Sequence, residues 1–298
     1  IEEPDEPKDP ETPHFIPAYS QKVKASKEFQ TFQFDHSFVL NSLKSSMEGY
    51  VFHNQPLDTD DLLEQTVKLF NSCKTSLELF DMLHNMRAYD DSTHAHSLNV
   101  ALICRRIGKW LKVDASTLDT LTLCGLLHDI GKLKIPDEIL NKPGKYTDEE
   151  FDLVKRHTKF GYELLKPLNI DPHIKKAALL HHERCDGSGY PLKATQKDLD
   201  DFSMVVAIAD VYDAMTAARS YRAPLCPFQV IERFEQEGLQ KYKPKFILTF
   251  LQHIASTYQN NRVLLSNGQS ANIVMLNQQH LARPIVQLND NSCIDLST

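Results

Sequence analysis

The feature that most constrains the fold is a set of ionisable side chains on the apolar faces of helical segments. Seven residues share this placement: His96, His128, Asp129, His157, His181, His182 and Asp210. A buried carboxylate or imidazole is costly unless it is paired, hydrogen-bonded or bound to a metal. The five segments that carry these side chains must therefore fold so that the side chains meet.

A metal centre would satisfy all seven side chains together. One histidine on an apolar face is ordinarily a core residue with a local hydrogen bond, but a helical core has few free backbone partners for seven buried polar groups. Imidazole and carboxylate without thiolate suit iron, manganese or zinc better than calcium or magnesium. Seven ligands are too many for one tetrahedral ion, and they suit two octahedral ions that share a bridging carboxylate and a water. The sequence thus predicts a dinuclear centre.

Most of the chain is predicted to be helical. Apolar residues recur at helical spacing in eight segments, at residues 58–89 with a break near 73–76, and at 92–111, 115–132, 147–166, 172–183, 202–218, 228–240 and 244–258. Residues 25–56 have a mixed pattern that does not decide between structures. The bulk of the chain is therefore predicted to be all-α.

One helical segment has a recognisable start. Thr147 and Glu150 match the Ser/Thr-x-x-Glu pattern of a capping box. Phe151, Val154 and His157 follow on one face, which we expect to point into the core.

The end of the chain has a different character. Short β-type runs occupy residues 262–265, 271–276 and 285–288, and Asn267-Gly268 predicts a hairpin between the first two. We therefore expect a small β appendage after the helices.

Composition limits the class of protein. The net charge of −7 argues against binding of polymeric nucleic acid through a broad basic face. Residues 1–20 carry six acidic residues, one lysine and five prolines, which predicts a disordered linker. The longest apolar runs are far shorter than the roughly 18–20 residues of a membrane helix, and no signal peptide opens the chain. The six scattered cysteines predict reduced thiols and a cytoplasmic location.

The motifs around the seven side chains resemble those of a known family. Residues 127–132 read Leu-His-Asp-Ile-Gly-Lys and resemble the HD-x-G-K core of HD-domain phosphohydrolases. Residues 181–191, His-His-Glu-Arg-Cys-Asp-Gly-Ser-Gly-Tyr-Pro, resemble the long and specific HHE-x-x-DG-x-GYP signature of the HD-GYP subfamily. Residues 209–216 and 219–222 resemble its closing helix. The similarity covers residues 90–254, over half of the chain.

The resemblance implies the organisation of the chain. It implies an HD-domain helical bundle at 89–258. Composition and pattern predict a disordered Pro/acidic linker at 1–24, a mainly helical segment at 25–88 and the β appendage at 259–298 around it. It also implies a metal-dependent phosphodiesterase that hydrolyses cyclic di-GMP to linear pGpG through attack of a metal-bridging hydroxide. Further hydrolysis to GMP is left open.

The resemblance also implies the ligand set. The first metal would be held by His96, His128, Asp129 and Asp210. Asp129 would bridge to a second metal held by His157, His181 and His182. Some members bind a third metal through a glutamate four residues before the first histidine, but this chain has Ser92 there, and Asp91 is expected to be a helix cap. We expect two divalent ions, iron or manganese, with zinc, nickel and others left open.

Three basic residues are expected to contact the substrate. Lys132 and Asp129 would act in catalysis, since Lys132 lies on the face of His128 and can reach a phosphate oxygen. Arg219 and Arg222 resemble the family's phosphate-binding pair. A charge near a helix C-terminus and a solvated basic face are the respective alternatives.

The loop after the second motif is expected to lie beside the substrate. Gly189, Tyr190 and Pro191 form its tip, and in the family this loop is linked to contacts with diguanylate cyclase domains. Glu183 and Asp186 either accept hydrogen bonds from ligand imidazoles or hold the loop.

The chain departs from the family pattern at positions near the substrate. Met204 stands where an arginine is common, Cys185 stands where an aromatic residue is common, and residues 192–201 lack the usual glycines. Because no ligand position is lost, catalysis is better determined than substrate identity. Two alternatives remain open: hydrolysis of the mixed cyclic GMP–AMP dinucleotide, and a receptor that binds a cyclic dinucleotide with little turnover. A homodimer is also left open.

Overall fold

The structure is a computed structural model and describes residues 19–86, 92–216 and 225–298. The predicted linker up to residue 18, Asp91, Arg219 and Arg222 lie outside the described residues. In chain order the helices are α1 (Tyr19–Ala25), α2 (Lys27–His53), α3 (Thr59–Ser72), α4 (Ser76–Met86), α5 (Thr93–Trp110), α6 (Ala115–Leu127), α7 (Asp137–Leu140), α8 (Asp148–Lys155), α9 (His157–Leu165), α10 (Pro172–Leu180), α11 (Asp201–Thr216), α12 (Pro227–Glu237) and α13 (Pro244–Thr257), with short 3-10 helices at Ile130–Lys134 and Leu239–Lys241.

The C-terminal residues form a four-stranded antiparallel sheet. Its strands pair in the order β1 (Arg262–Leu264), β2 (Ser270–Met275), β3 (Ile285–Leu288) and β4 (Cys293–Asp295). The predicted hairpin joins β1 to β2, and Gly268 takes the positive φ of 83° that this turn requires. The short strand β4 was not predicted. The predicted fold class, all-α with a small C-terminal β appendage, is confirmed.

Helix α2 occupies the stretch whose pattern did not decide between structures. Ser26 caps its start by accepting a hydrogen bond from the Phe29 amide, and Asn54 ends it in the left-handed conformation. Phe34 and Phe38 are 74% and 62% exposed on its outer side. Apolar residues thus lie on both faces of the helix, which blurs its periodicity in the sequence.

Two predicted helices end or break at the proposed ligands. The segment predicted at 115–132 leaves the α-helix after Leu127, and Asp129 adopts a φ of −103° and a ψ of 9° before the 3-10 helix. The segment predicted at 147–166 is two helices that meet at Arg156 and His157. The capping box of Thr147 and Glu150 is confirmed at the start of α8.

One hydrophobic core runs through all the layers. It extends from Phe29 in α2 through the central pair α5 and α6 to Val286 in β3. Gly125 lets α6 approach α5 closely, because a Cβ there would lie 2.7 Å from the Ala101 Cα. The predicted domain boundaries stay a prediction. Within the described stretches, no helix has the length and apolar character needed to cross a bilayer.

Gly131 sets the contact between the 3-10 helix and the start of α9. A Cβ at Gly131 would lie 1.9 Å from the His157 carbonyl oxygen and 2.4 Å from the Gly161 amide nitrogen. Both neighbours are backbone atoms, so they cannot rotate away as a side chain would. The glycine is therefore a packing requirement that holds Asp129 and His157 next to each other.

We predict that Gly131→Ala lowers the free energy of unfolding by about 1–3 kcal/mol, because the added methyl overpacks a backbone contact. Gly161→Ala is the matched control, since its Cβ would meet the Ala178 Cβ at an ordinary 3.4 Å. The control should keep or gain stability, as alanine favours a helix by up to about 1 kcal/mol over glycine. Urea denaturation of both variants measures the difference. Equal stability of the two would contradict the packing role.

Candidate metal centre

The structure brings all seven predicted side chains together. They come from the first turn of α5, the end of α6, the start of α9, the end of α10 and the middle of α11, and they are His96, His128, Asp129, His157, His181, His182 and Asp210. Most are completely buried, and His96 and His182 keep a small exposed fraction on the open side.

The carboxylate of Asp129 lies at the centre of the cluster, and its two oxygens face different partners. Oδ2 is 3.2 Å from His128 Nε2 and 3.6 Å from His96 Nε2. Oδ1 is 3.3 Å from His157 Nε2 and 3.6 Å from His181 Nε2. The carboxylate thus divides the histidines into two groups, one at each oxygen.

Backbone carbonyls orient three of the imidazoles. The Nδ1 atoms of His128, His157 and His181 lie 2.7, 2.7 and 3.0 Å from the carbonyl oxygens of the residues three or four positions earlier, within hydrogen-bond distance. With Nδ1 as the donor, each ring presents its unprotonated Nε2 to the cluster. This is the tautomer that a metal ligand needs.

His96 is held by two aspartates of α11. Its Nδ1 is 2.7 Å from Asp213 Oδ2, and its Nε2 is 3.0 Å from Asp210 Oδ1. Asp213 is fully buried, and no role was predicted for it from the sequence. Its position three residues after Asp210, and so on the same helix face, is the signal that could have indicated this orienting contact.

The electrostatics of the cluster favour charged carboxylates and keep three of the imidazoles, His157, His181 and His182, neutral. Burial lowers the pKa of His157 to about 3, and it also lowers the pKa values of His181 and His182. Burial opposes the charge of Asp129, but His128 and Lys132 outweigh it and hold the Asp129 pKa well below its ordinary value. Burial lowers the pKa of His96, whereas Asp210 and Asp213 raise it past that, to about 9.

The donor set fits divalent metal ions. His128 Nε2 and Asp129 Oδ1 are buried and make no hydrogen bond, which is costly for polar atoms unless a ligand uses them. The donor atoms form two groups, and within each group all the atoms lie within 4.8 Å of one another. One group is Asp129 with His157, His181 and His182, and the other is Asp129 with His96 and His128. Asp129 belongs to both groups, as a bridging ligand requires. Asp210 lies between the two groups: its Oδ1 is 3.0 Å from His96 Nε2, and its Oδ2 is 3.7 Å from His182 Nδ1.

Comparison with known proteins agrees with this geometry. The sequence profile of the HD domain matches residues 61–246, more than half of the chain. The chain belongs to the HD domain family. The predicted family resemblance is thereby confirmed.

Curated relatives of this HD domain protein carry related names. A Vibrio cholerae protein named 3'3'-cGAMP-specific phosphodiesterase 2 is 35% identical over 60% of the chain and 35% of its own length. The cyclic di-GMP phosphodiesterase of Thermotoga maritima is 36% identical over 59% of the chain and 48% of its own length. Cyclic di-GMP phosphodiesterase PA4108 of Pseudomonas aeruginosa is 32% identical over 69% of the chain and 50% of its own length. The chain therefore spans half or less of each of these relatives.

A solved structure has the same fold. Bd1817, an HDG"Y"P protein from Bdellovibrio bacteriovorus, matches with a TM-score of 0.61 over 78% of this chain and 74% of its own. The two sequences are 18% identical, so the match establishes the fold alone.

Lys132 contacts the metal centre from a 3-10 helix and not from the predicted α-helix. It lies in the 3-10 helix and not on a continuous α-helix with His128, because the helix ends before Asp129. Its Nζ is 2.5 Å from Asp129 Oδ2, and its side chain is 21% exposed. Lys132 thus combines a contact to the central carboxylate with access from the open side.

The loop that carries Gly189, Tyr190 and Pro191 borders the cluster. Tyr190 stacks on His182 with ring centroids 4.6 Å apart and an interplanar angle of 29°. A Cβ at Gly189 would lie 2.4 Å from the Glu183 Cα, so this glycine serves close packing of the loop on the chain that follows His182. The Tyr190-Pro191 peptide bond is cis.

Glu183 and Asp186 hold the loop, which decides between the two interpretations left open by the sequence. Glu183 is 2% exposed, and its carboxylate accepts hydrogen bonds from the amides of Leu192 at 2.6 Å and Ala194 at 3.0 Å. Asp186 accepts from the amide and hydroxyl of Ser188.

Ser92, at the position of the family's third-metal glutamate, is the N-cap of α5. Its hydroxyl oxygen accepts a hydrogen bond from the Ala95 amide. The expectation that Asp91 caps this helix is corrected, because Ser92 has the extended backbone and the hydrogen bond of a cap.

We predict that Glu183→Ala loosens the loop. Two partly buried amides would lose a charged acceptor, and hydrogen bonds to charged groups contribute about 1.5–3 kcal/mol each to the free energy of unfolding. Hydrogen exchange should accelerate in peptides that contain Leu192 and Ala194. Asp186→Ala removes an exposed turn contact and is the control, with an expected cost below about 1 kcal/mol. Unchanged exchange in the Glu183 variant would show that the carboxylate does not hold the loop.

Proposed function

We propose that this chain is a metal-dependent phosphodiesterase that opens cyclic di-GMP to linear pGpG. The observation that carries the proposal is the central position of Asp129, whose two oxygens face two separate groups of histidines. A carboxylate in this position fits a dinuclear centre, with His96, His128 and Asp210 on one ion and His157, His181 and His182 on the other. Iron or manganese suits this donor set.

Bound divalent ions would activate a water and neutralise the charge that develops on a phosphodiester under attack. The chain's own residues supply the rest. Asp129 and the imidazoles hold the ions, and Lys132 offers a cation to a phosphate oxygen beside Asp129. Arg219 and Arg222 are proposed to bind the substrate phosphates, and the Gly189–Pro191 loop forms one wall of the substrate site.

The names of the relatives support a cyclic dinucleotide as the substrate. They include cyclic di-GMP phosphodiesterases and 3'3'-cGAMP-specific phosphodiesterases. Hydrolysis of the mixed cyclic GMP–AMP dinucleotide is therefore the second candidate. A receptor with little turnover is the third, and the complete donor set argues against it.

Three expectations from the sequence remain predictions. They are contact of the Gly189–Pro191 loop with diguanylate cyclase domains, a homodimeric assembly and a cytoplasmic location. The chain spans half or less of the length of these curated relatives, so all three stay predictions.

The experiment that tests the proposal combines metal analysis with turnover. Anaerobically purified protein should contain about two first-row transition metal ions per chain and should convert cyclic di-GMP to pGpG. Cyclic GMP–AMP and bis(p-nitrophenyl) phosphate are assayed beside it. Faster turnover of cyclic GMP–AMP would favour the second candidate, comparable rates on all three would reject a cyclic-dinucleotide enzyme, and metal-loaded protein that binds without yielding product would favour the receptor.

We predict that Asp129→Ala lowers the bound metal to at most one ion per chain and abolishes turnover, because this carboxylate belongs to both donor groups. Asp60→Ala, at an exposed position of α3, is the control and should keep both properties. Elemental analysis measures the bound metal, and a cyclic di-GMP assay measures turnover. Full activity with two ions retained in the Asp129 variant would refute the bridging assignment.

A further inference from the structure

An exposed phenylalanine lies at the rim of the metal centre. Phe151 belongs to α8 and was expected on the core-facing side with Val154, but its side chain is 45% exposed whereas Val154 is buried. Helix α8 ends at Lys155, two residues before His157, so Phe151 lies six positions before a proposed metal ligand in the chain. Single exposed aromatic rings are ordinary on protein surfaces, as Phe34 and Phe38 show, so it is the position of Phe151 beside the centre that points to a ligand.

Phe151 is the outer member of an aromatic series that starts at the centre. His182 stacks on Tyr190, and Tyr190 meets Phe151 nearly edge to face, with ring centroids 6.3 Å apart and an interplanar angle of 78°. Tyr190 also lies 6.4 Å from the His157 ring. The series therefore connects two proposed ligands to the surface through ring contacts alone.

One lysine lies beside the Phe151 ring, in a helix α8 that otherwise carries acidic side chains. The Lys155 ammonium lies 4.8 Å from the Phe151 ring centroid and forms an ion pair with Asp152 on the same helix. Beyond Tyr190, Leu192 adds a second apolar side chain, 57% exposed, at the same rim. The lysine is paired with Asp152, so the feature that suits a nucleotide is the aromatic surface, on which bases stack.

We propose that Phe151 stacks on a purine base of the cyclic dinucleotide and positions it for hydrolysis. The inference rests on the proposed function. A cyclic dinucleotide whose scissile phosphate lies at the Asp129 cluster carries its bases outside the phosphate–ribose ring, so that a base extends toward the rim. Phe151 is a flat apolar group there, and stacking is tolerant of base identity because every base has a π-face. Phe151 would thus act on affinity and would not by itself distinguish guanine from adenine.

The test compares Phe151→Ala with the wild-type chain, both loaded with metal. Loss of one stacked base should lower kcat/KM for cyclic di-GMP about tenfold, mainly through KM. The inhibition constant of inorganic phosphate, which has no base, should stay unchanged, as should the bound metal. Phe151→Trp should restore most of the kcat/KM, since it keeps an aromatic face.

Phe38→Ala is the matched control, because Phe38 is also an exposed phenylalanine and lies on α2. It should change neither constant. Equal weakening of cyclic di-GMP and phosphate in Phe151→Ala would indicate a structural role and overturn the proposal, as would an unchanged KM. A wild-type chain that neither binds nor hydrolyses any cyclic dinucleotide would overturn the proposed function as well, so the two failures are distinguishable.

Discussion

The buried carboxylate of Asp129 constrains how the central helices pack. It is 1% exposed and ionised, which would be prohibitive in an apolar core without compensation. Compensation comes from the cluster itself: Lys132 contacts one oxygen, and imidazoles from separate helices approach both. Because those imidazoles come from segments far apart in the chain, satisfying this one side chain requires the packing of α5, α6, α9, α10 and α11 as a unit.

The ends of helices position three of the imidazoles. The last turn of an α-helix leaves carbonyl oxygens without intrahelical donors. His128 and His181, which follow α6 and α10, place their Nδ1 atoms within hydrogen-bond distance of carbonyls in the last turn, and His157 does the same at the junction of α8 and α9. The carbonyls of Ala177 and Val154 also accept a backbone amide. An imidazole just past a buried helix can therefore donate its Nδ1 hydrogen to a carbonyl of that helix and present Nε2 to the cluster. This explains why the histidines stand at the ends of apolar runs and not within them.

The overall acidity of the chain says little about its ligand. Much of the net charge of −7 lies in residues 1–20. At the centre, two divalent ions would exceed the charge of Asp129 and Asp210, and Lys132 adds to the balance. An acidic protein can in this way hold a locally positive site for a phosphodiester. Phe151 and Tyr190 would then complement that charge with stacking surface.

The seven clustered side chains, the helical class, the β hairpin and the capping box of α8 could all be predicted, because they depend on residue type and local spacing. The tertiary structure showed that α6 ends at Leu127 and that a break precedes His157, with Gly131 packed against the His157 backbone. It also decided that Asp213 orients His96, that Glu183 holds the loop, and that Phe151 is exposed and not core-facing. Periodicity predicts which residues share a face, but which element covers that face is set by contacts between residues distant in the chain.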